Sequence, residues 1–282
     1  MWVWLTIGSA FLLGFYDVAK KQSLKKNGVL YVLLSATALS TVFLSPFLHP
    51  GPLNHHLLLI IKGILVTSSW VSGLAAMELV PLSTLSTIKA SRPVFVLFFS
   101  LIIFGEKLNA FQWAGCVTAI AALVLLSRTS SREGISFTND KGTWLMWISV
   151  ITGAASALYD KYILGFMEPL FVQSWANLYI TVLLAVCIFI KAKAGRKALD
   201  PFKWDWMILV IALFITAADF LYFAALDQEN ALLSVVSMIR RSSVIVPFLF
   251  GAFVFHEKEI GRKALDMLIM LAGIALITIG SI

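Results

Sequence analysis

Long apolar runs separated by short polar breaks fill this chain from one end to the other. The hydrocarbon core of a bilayer takes about 20 apolar residues, and ten runs are long enough to cross it as helices. The runs do not alternate between apolar and polar positions, so they predict an all-α polytopic membrane protein. They cover residues 2–20, 29–48, 56–77, 82–104, 109–127, 142–164, 169–190, 206–226, 231–254 and 263–281.

The chain contains an internal repeat. Three short segments recur in the same order: 16–17 at 159–160, 75–78 at 224–227, and 104–107 at 255–258. The polar segment 128–141 separates the copies, so we predict five-helix repeats at 1–127 and 142–282. Because five is odd, the second repeat must lie inverted in the membrane. Inverted repeats are typical of transporters that bind substrate at the repeat interface, near mid-membrane.

Composition and charge narrow the class of protein further. The chain is 60% hydrophobic and 13% charged, with a net charge of +7. Most basic residues follow odd-numbered runs, which argues against a nucleic-acid surface and predicts cytoplasmic odd loops with both termini outside. Short loops and the lack of a recognisable targeting segment favour a multi-pass protein of the bacterial inner membrane.

Two of the apolar runs each contain a pair of cations near mid-length, where an ionisable group is costly and indicates a functional site. Lys89 and Arg92 share one face of the fourth run, and Arg240 and Arg241 lie midway along the ninth. The repeat offset of 104–107 against 255–258 places Lys89 on Arg240. Both runs are therefore predicted to bring cations to mid-membrane.

The acids at similar depth are Asp17, Asp160 and Asp219. Three carboxylates do not neutralise four cations, so the centre has a net positive charge that a substrate anion would neutralise. In the alternative, the acids only pair with the bases and hold the helices together. Asp219 is also the better candidate for carrying a coupling proton, whereas Asp17 and Asp160 would line the cavity or cap helix ends.

Other polar and aromatic residues are weaker candidates for the substrate site. Trp70 and Tyr222 would line a cavity, and Asn177 would hydrogen-bond either substrate or a neighbouring helix. Glu106 and Glu257 stand where the fourth and ninth runs end, and we expect each to cap the helix that follows.

The segment 88–95, Ile-Lys-Ala-Ser-Arg-Pro-Val-Phe, is similar to helix four of the triose-phosphate translocator family. Arg240-Arg241 resembles its basic pair in helix nine. Over the whole chain, the architecture resembles the drug/metabolite transporter superfamily (EamA-like), whose better-known members keep both termini in the cytoplasm. The resemblance implies that Lys89, Arg240 and Arg241 bind a substrate phosphate. Arg92 departs from it, because the family has Glu at that position.

These patterns predict a secondary transporter that exchanges a small phosphorylated or carboxylated anion. The alternative is a proton-coupled exporter of amino acids, drugs or other metabolites. No nucleotide-binding loop or nucleophile motif occurs, so we expect neither catalysis nor a cofactor or bound metal. The expected partners are the substrate and the lipid bilayer, with no nucleic acid, for a monomer or homodimer.

Overall fold

A computed structural model describes residues 1–23, 26–77, 79, 88, 91–130, 141–193, 202–253 and 260–281. This part of the chain contains eleven α-helices, two short 3-10 segments and no strand. The helices are α1 (Trp2–Ser23), α2 (Val29–Leu44), α3 (Leu53–Met77), α4 (Arg92–Ile103), α5 (Ala110–Ser130), α6 (Lys141–Leu164), α7 (Pro169–Lys193), α8 (Trp206–Leu226), α9 (Leu233–Arg241), α10 (Ile245–Phe253) and α11 (Ile260–Ile279).

The predicted spans are present as helices wherever the structure describes them. The fourth is described continuously from Ser91, and α4 begins at Arg92 with Pro93 in its first turn. The ninth is divided, because the 3-10 segment Ser242–Val244 separates α9 from α10 immediately after Arg241. Below, span nine means α9 to α10 and span ten means α11.

Local chemistry explains several helix ends. The α4 helix ends before Gly105, whose φ of 60° suits a residue without a side chain. Asn109 and Gln112 then exchange hydrogen bonds between side chain and backbone, a capping box that begins α5. Asp205 begins α8 by accepting a hydrogen bond from the Met207 amide.

Helix packing follows the internal repeat. The first span of the first repeat, α1, packs on the third span of the second repeat, α8. The third span of the first repeat, α3, packs on the first span of the second repeat, α6. The remaining equivalent spans pack on each other, as α2 on α7, α4 on α9, and α5 on α11. Exchanging the repeats therefore leaves the pairing unchanged, which is the pattern of two inverted five-helix repeats. The proposed limits of 1–127 and 142–282 stay a prediction.

Length and composition support a membrane location. Within the described residues, five helices are long and apolar enough to cross a bilayer, and three more are shorter apolar helices. Close helix contacts use small residues: a side chain on Gly115 of α5 would meet the Gly273 carbonyl oxygen of α11 at 2.6 Å. The chain is an all-α polytopic membrane protein.

Candidate functional site

Two adjacent cavities, here called the larger lobe and the smaller lobe, lie at the centre of the bundle. The connections that follow odd-numbered spans form one face of the bundle, here called the odd-loop face. The larger lobe has a volume of about 350 Å³ and lies toward this face. The smaller, about 180 Å³, lies toward the opposite, even-loop face. The lobes are adjacent, because both are lined by Ser69, Trp70, Arg92, Ala157, Ile215, Asp219, Tyr222 and Arg240.

Arg92 enters the cavity from the first turn of α4 and crosses to α6. Its guanidinium donates a hydrogen bond of 2.5 Å to the Gly153 carbonyl oxygen. A Cβ at Gly153 would collide with the guanidinium carbon and nitrogens, so the missing side chain leaves the space that Arg92 occupies. A backbone carbonyl satisfies one N–H group but does not neutralise the charge.

Arg240 and Arg241 occupy the last turn of α9, where the helix dipole favours cations. Arg240 forms an ion pair of 2.7 Å with Asp219 of α8, and its guanidinium carbon lies 4.0 Å from the Tyr222 ring centre. Arg241 also lines the larger lobe, and within the described residues it forms no ion pair with a carboxylate. The two neighbouring arginines therefore have different environments, as a separation of about 100° around a helix requires.

A second ion pair closes the side of the smaller lobe. Lys62 of α3 lies 2.6 Å from the Asp160 carboxylate of α6, and both side chains are buried. The same ammonium group donates hydrogen bonds to the Ser156 hydroxyl at 2.6 Å and the Ser156 carbonyl at 3.3 Å. The Tyr222 hydroxyl donates to Asp160 at 3.3 Å, so this tyrosine touches both ion pairs.

Neutral polar groups line the rest of the smaller lobe. The Asn177 amide donates to the Ser40 hydroxyl at 2.6 Å, and Ser40 lies 2.6 Å from the Thr216 hydroxyl. The Gln173 amide donates to the Thr216 backbone carbonyl at 2.8 Å. Asn177 therefore joins helices α2 and α7, although it also faces the lobe.

At the even-loop face, Glu106 holds three elements together. Its carboxylate accepts hydrogen bonds from the Leu233 amide at 2.6 Å and from the Ser234 amide and hydroxyl at 3.1 and 2.5 Å. It also forms an ion pair of 2.7 Å with Lys161 of α6. Burial raises the pKa of Glu106, but the hydrogen bonds from Lys161 and Ser234 outweigh this effect and hold it below its ordinary value.

The cap predicted for Glu106 was therefore assigned to the wrong helix. Glu106 caps the first turn of α9 rather than α5, whose first turn is capped by Asn109. The connection 104–109 places Glu106 beside the first turn of α9, where the Leu233 and Ser234 amides donate to it. Glu257 lies outside the described residues.

The described site residues that the sequence predicted meet in this cavity. Asp17, Trp70, Arg92, Asp160, Asn177, Asp219, Tyr222, Arg240 and Arg241 line one lobe or both. Lys89 lies outside the described residues. Asp160 is buried near the end of α6, lines the smaller lobe, and has a lysine as its partner.

Two cavity cations were missed from the sequence. Lys62 lies inside an apolar run, and that signal marked the other four cations but was not applied to it. Lys20 is the last residue of the first predicted run and was not counted among the cations at mid-membrane, whereas α1 continues to Ser23 and Lys20 lines the larger lobe. The count of four cations to three carboxylates is corrected accordingly: the described lining has five cations, Lys20, Lys62, Arg92, Arg240 and Arg241, against Asp17, Asp160 and Asp219.

Comparison with known proteins connects this architecture to a family. The model of the EamA-like transporter family matches residues 1–128 and 140–279, which is most of the chain. Human solute carrier family 35 member G1 is 25% identical over 216 residues, covering 73% of this chain. The chain spans 58% of that relative's length. A protein of known crystal structure shares the fold, with a TM-score of 0.74 and 17% identity over 97% of this chain and 98% of its own.

Proposed function

Because the chain belongs to the EamA-like transporter family, we propose that it is a secondary transporter that carries a small organic anion through the central cavity. The substrate is phosphorylated or carboxylated, and the carrier works by exchange. The human relative is named as a solute carrier, which supports transport of a solute but does not identify it.

The excess of cations over carboxylates in the cavity carries this proposal. Arg92 donates to a backbone carbonyl, and Arg241 forms no ion pair within the part of the chain that the structure describes. A planar guanidinium presents paired N–H donors that match a carboxylate or phosphate. An anion between Arg92 and Arg241 would neutralise charge that the described protein groups leave in excess.

The same excess explains why exchange is preferred to one-way transport. An empty carrier must reorient with uncompensated charge in a low-dielectric surrounding, which is costly. An anion reduces that charge, so the loaded carrier reorients more readily. With the orientation predicted from loop charges, the larger lobe lies toward the cytoplasm.

Counterflow in proteoliposomes tests the proposal. A labelled phosphate ester or carboxylate is added outside the vesicles. It should accumulate inside only when the vesicles are loaded with the same anion in unlabelled form. Arg241→Gln should abolish accumulation while the protein remains folded in the membrane. Lys193→Gln, at the exposed end of α7, removes a charge outside the cavity and should leave it unchanged.

Normal counterflow by both Arg241→Gln and Arg92→Gln would refute the anion site. A thermal-shift screen against phosphate esters, carboxylates, amino acids and cationic drugs identifies the ligand class independently, because a ligand that binds only the folded state raises its apparent stability.

One observation favours the alternative of a proton-coupled exporter. The Asp219 side chain is 32% exposed in the cavity and is paired with Arg240, so proton uptake would compete with the ion pair. In that case an imposed pH gradient drives transport without substrate on the opposite side. Asp219→Asn would then abolish the effect of the gradient.

A further inference from the structure

A cluster of charged and backbone groups joins the two repeats at the even-loop face. Glu106 lies in the connection between α4 and α5 of the first repeat, whereas Lys161 lies on α6 and Leu233 on α9 of the second. The Glu106 carboxylate binds the Lys161 ammonium group at 2.7 Å and the Leu233 amide at 2.6 Å. Lys161 also donates a hydrogen bond of 2.8 Å to the Ala231 carbonyl oxygen, in the connection between α8 and α9. These four residues, here called the even-face lock, therefore tie two even-numbered connections to the end of α6.

The even-face lock lies directly beyond the smaller lobe. Asp160 lines that lobe, and Lys161 is the next residue toward the end of α6 at Leu164. Leu164 and Leu233 belong to one buried apolar cluster at this end of the bundle. The Glu106 side chain is 2% exposed, so water does not reach the lobe past this carboxylate. The larger lobe, in contrast, lies toward the odd-loop face.

The sequence repeat supplies only part of this lock to the odd-loop face. The repeat relation aligns Leu82-Ser83 with Leu233-Ser234, and it aligns Glu257 with the acid of the lock. It also aligns Val18 with Lys161, one residue beyond the matched Tyr-Asp pairs. Valine has no charge, so the ion pair belongs to one repeat alone at this position. This asymmetry favours closure at the even-loop face.

We propose that the Glu106–Lys161 ion pair locks one end of the transport path, holding the resting carrier closed at the even-loop face and open toward the odd-loop face. Alternating access moves one repeat against the other around the site. Because the ion pair joins the repeats, it must break before the even-loop face opens. The inference rests on the carrier mechanism of the proposed function and is independent of the charge of the substrate.

Thiol labelling of the cavity tests the lock without a substrate. Ala157 lines both lobes, so Ala157→Cys reports the face to which the site is open. The protein carries Cys187→Ser, and the fully buried Cys116 is kept as an indicator of unfolding. In separate proteins, the exposed positions Glu168→Cys and Lys193→Cys identify the even-loop and odd-loop faces. A charged thiol reagent that cannot the membrane is added to intact cells and to inverted vesicles.

The substitutions at Lys161 separate the ion pair from the rest of the site. With the lock intact, Ala157→Cys should react from the odd-loop face and much more slowly from the even-loop face. Lys161→Val reproduces the residue of the other repeat and should raise the reaction rate from the even-loop face about tenfold, since one hydrogen bond to a charged group contributes at least about that factor. Lys161→Arg keeps the ion pair and should react as the parent protein does.

Three results would overturn the lock. These are an unchanged even-face rate in folded Lys161→Val, an equal rise in Lys161→Arg, and reaction from both faces at the same rate with the lock intact. Labelling of Cys116 reveals an unfolded variant, and Lys161→Met, closer to lysine in shape, then replaces the valine. Counterflow is measured on the same proteins. Absent anion counterflow with the expected labelling would refute the proposed substrate and support the lock.

Discussion

Two ion pairs touch the same tyrosine but lie in different surroundings. The side chains of Lys62 and Asp160 are 7% and 5% exposed, whereas those of Arg240 and Asp219 are 19% and 32% exposed in the cavity. The first pair joins α3 to α6, and its lysine is further held by Ser156. The second joins α9 to α8 beside Arg92 and Arg241, which form no ion pair with a carboxylate within the described residues.

The comparison shows why a charge inside a membrane protein does not by itself identify a binding residue. A pair closed to water is held by mutual attraction, and removing one partner leaves a buried charge. A pair in a hydrated cavity loses less, since water or a ligand replaces the missing partner. The Glu106–Lys161 pair is intermediate, with a buried carboxylate and a lysine that is 21% exposed.

Breaking the closed pair should have the largest effect. Lys62→Met leaves the Asp160 carboxylate buried beside Tyr222 alone, so we expect a loss of about 3–5 kcal/mol in the free energy of unfolding. Equilibrium unfolding in detergent measures it. The double variant Lys62→Met/Asp160→Asn should be more stable than Lys62→Met, because no charge is then left buried. Equal stability of the two variants would contradict a mutually dependent pair.

Removing the charge of Glu106 should have an intermediate effect. Glu106→Gln keeps one acceptor for the α9 amides but loses the ion pair with Lys161, so we expect a loss of about 2 kcal/mol in the free energy of unfolding. The apparent melting temperature at pH 7 measures it. Glu168→Gln at the same face is the control, since that side chain is 64% exposed and lies 3.7 Å from His49.

The stabilising effect of Glu106 should depend on pH, and the same variant tests this. Because the folded protein holds the pKa of Glu106 below its ordinary value of 4.5, the carboxylate stabilises the fold above that pH. This contribution is lost as pH falls from 4.5 through the lower pKa of the folded state. The melting temperatures of wild type and Glu106→Gln should therefore converge on acidification. A difference that is constant down to pH 3 would contradict the assignment.

Breaking the cavity pair should have the smallest effect on stability. Asp219→Asn should cost less in the free energy of unfolding than Lys62→Met, about 1 kcal/mol, because the Arg240 side chain is 19% exposed in the cavity and stays stacked on Tyr222. Anion affinity should rise, since Arg240 loses its competing carboxylate. Titration with the anion found in the thermal-shift screen measures the change. A stability loss as large as that of Lys62→Met would show that the two pairs do not differ as proposed.

Most of the site could be found from the sequence, because an ionisable residue in an apolar run is conspicuous. Arg92, Arg240 and Arg241 were recognised in this way and do line one cavity. Lys62 was equally visible but was overlooked.

The sequence by itself determined the helical architecture, since a lipid surrounding requires backbone groups to be satisfied within each apolar segment. It also determined the repeat, because the two copies retain matching segments. Only the tertiary structure decided which charges are paired. Lys62 meets Asp160, and Glu106 reaches the backbone of Leu233, 127 positions away. Such partners depend on how whole helices pack against each other, and local sequence contains no record of that arrangement.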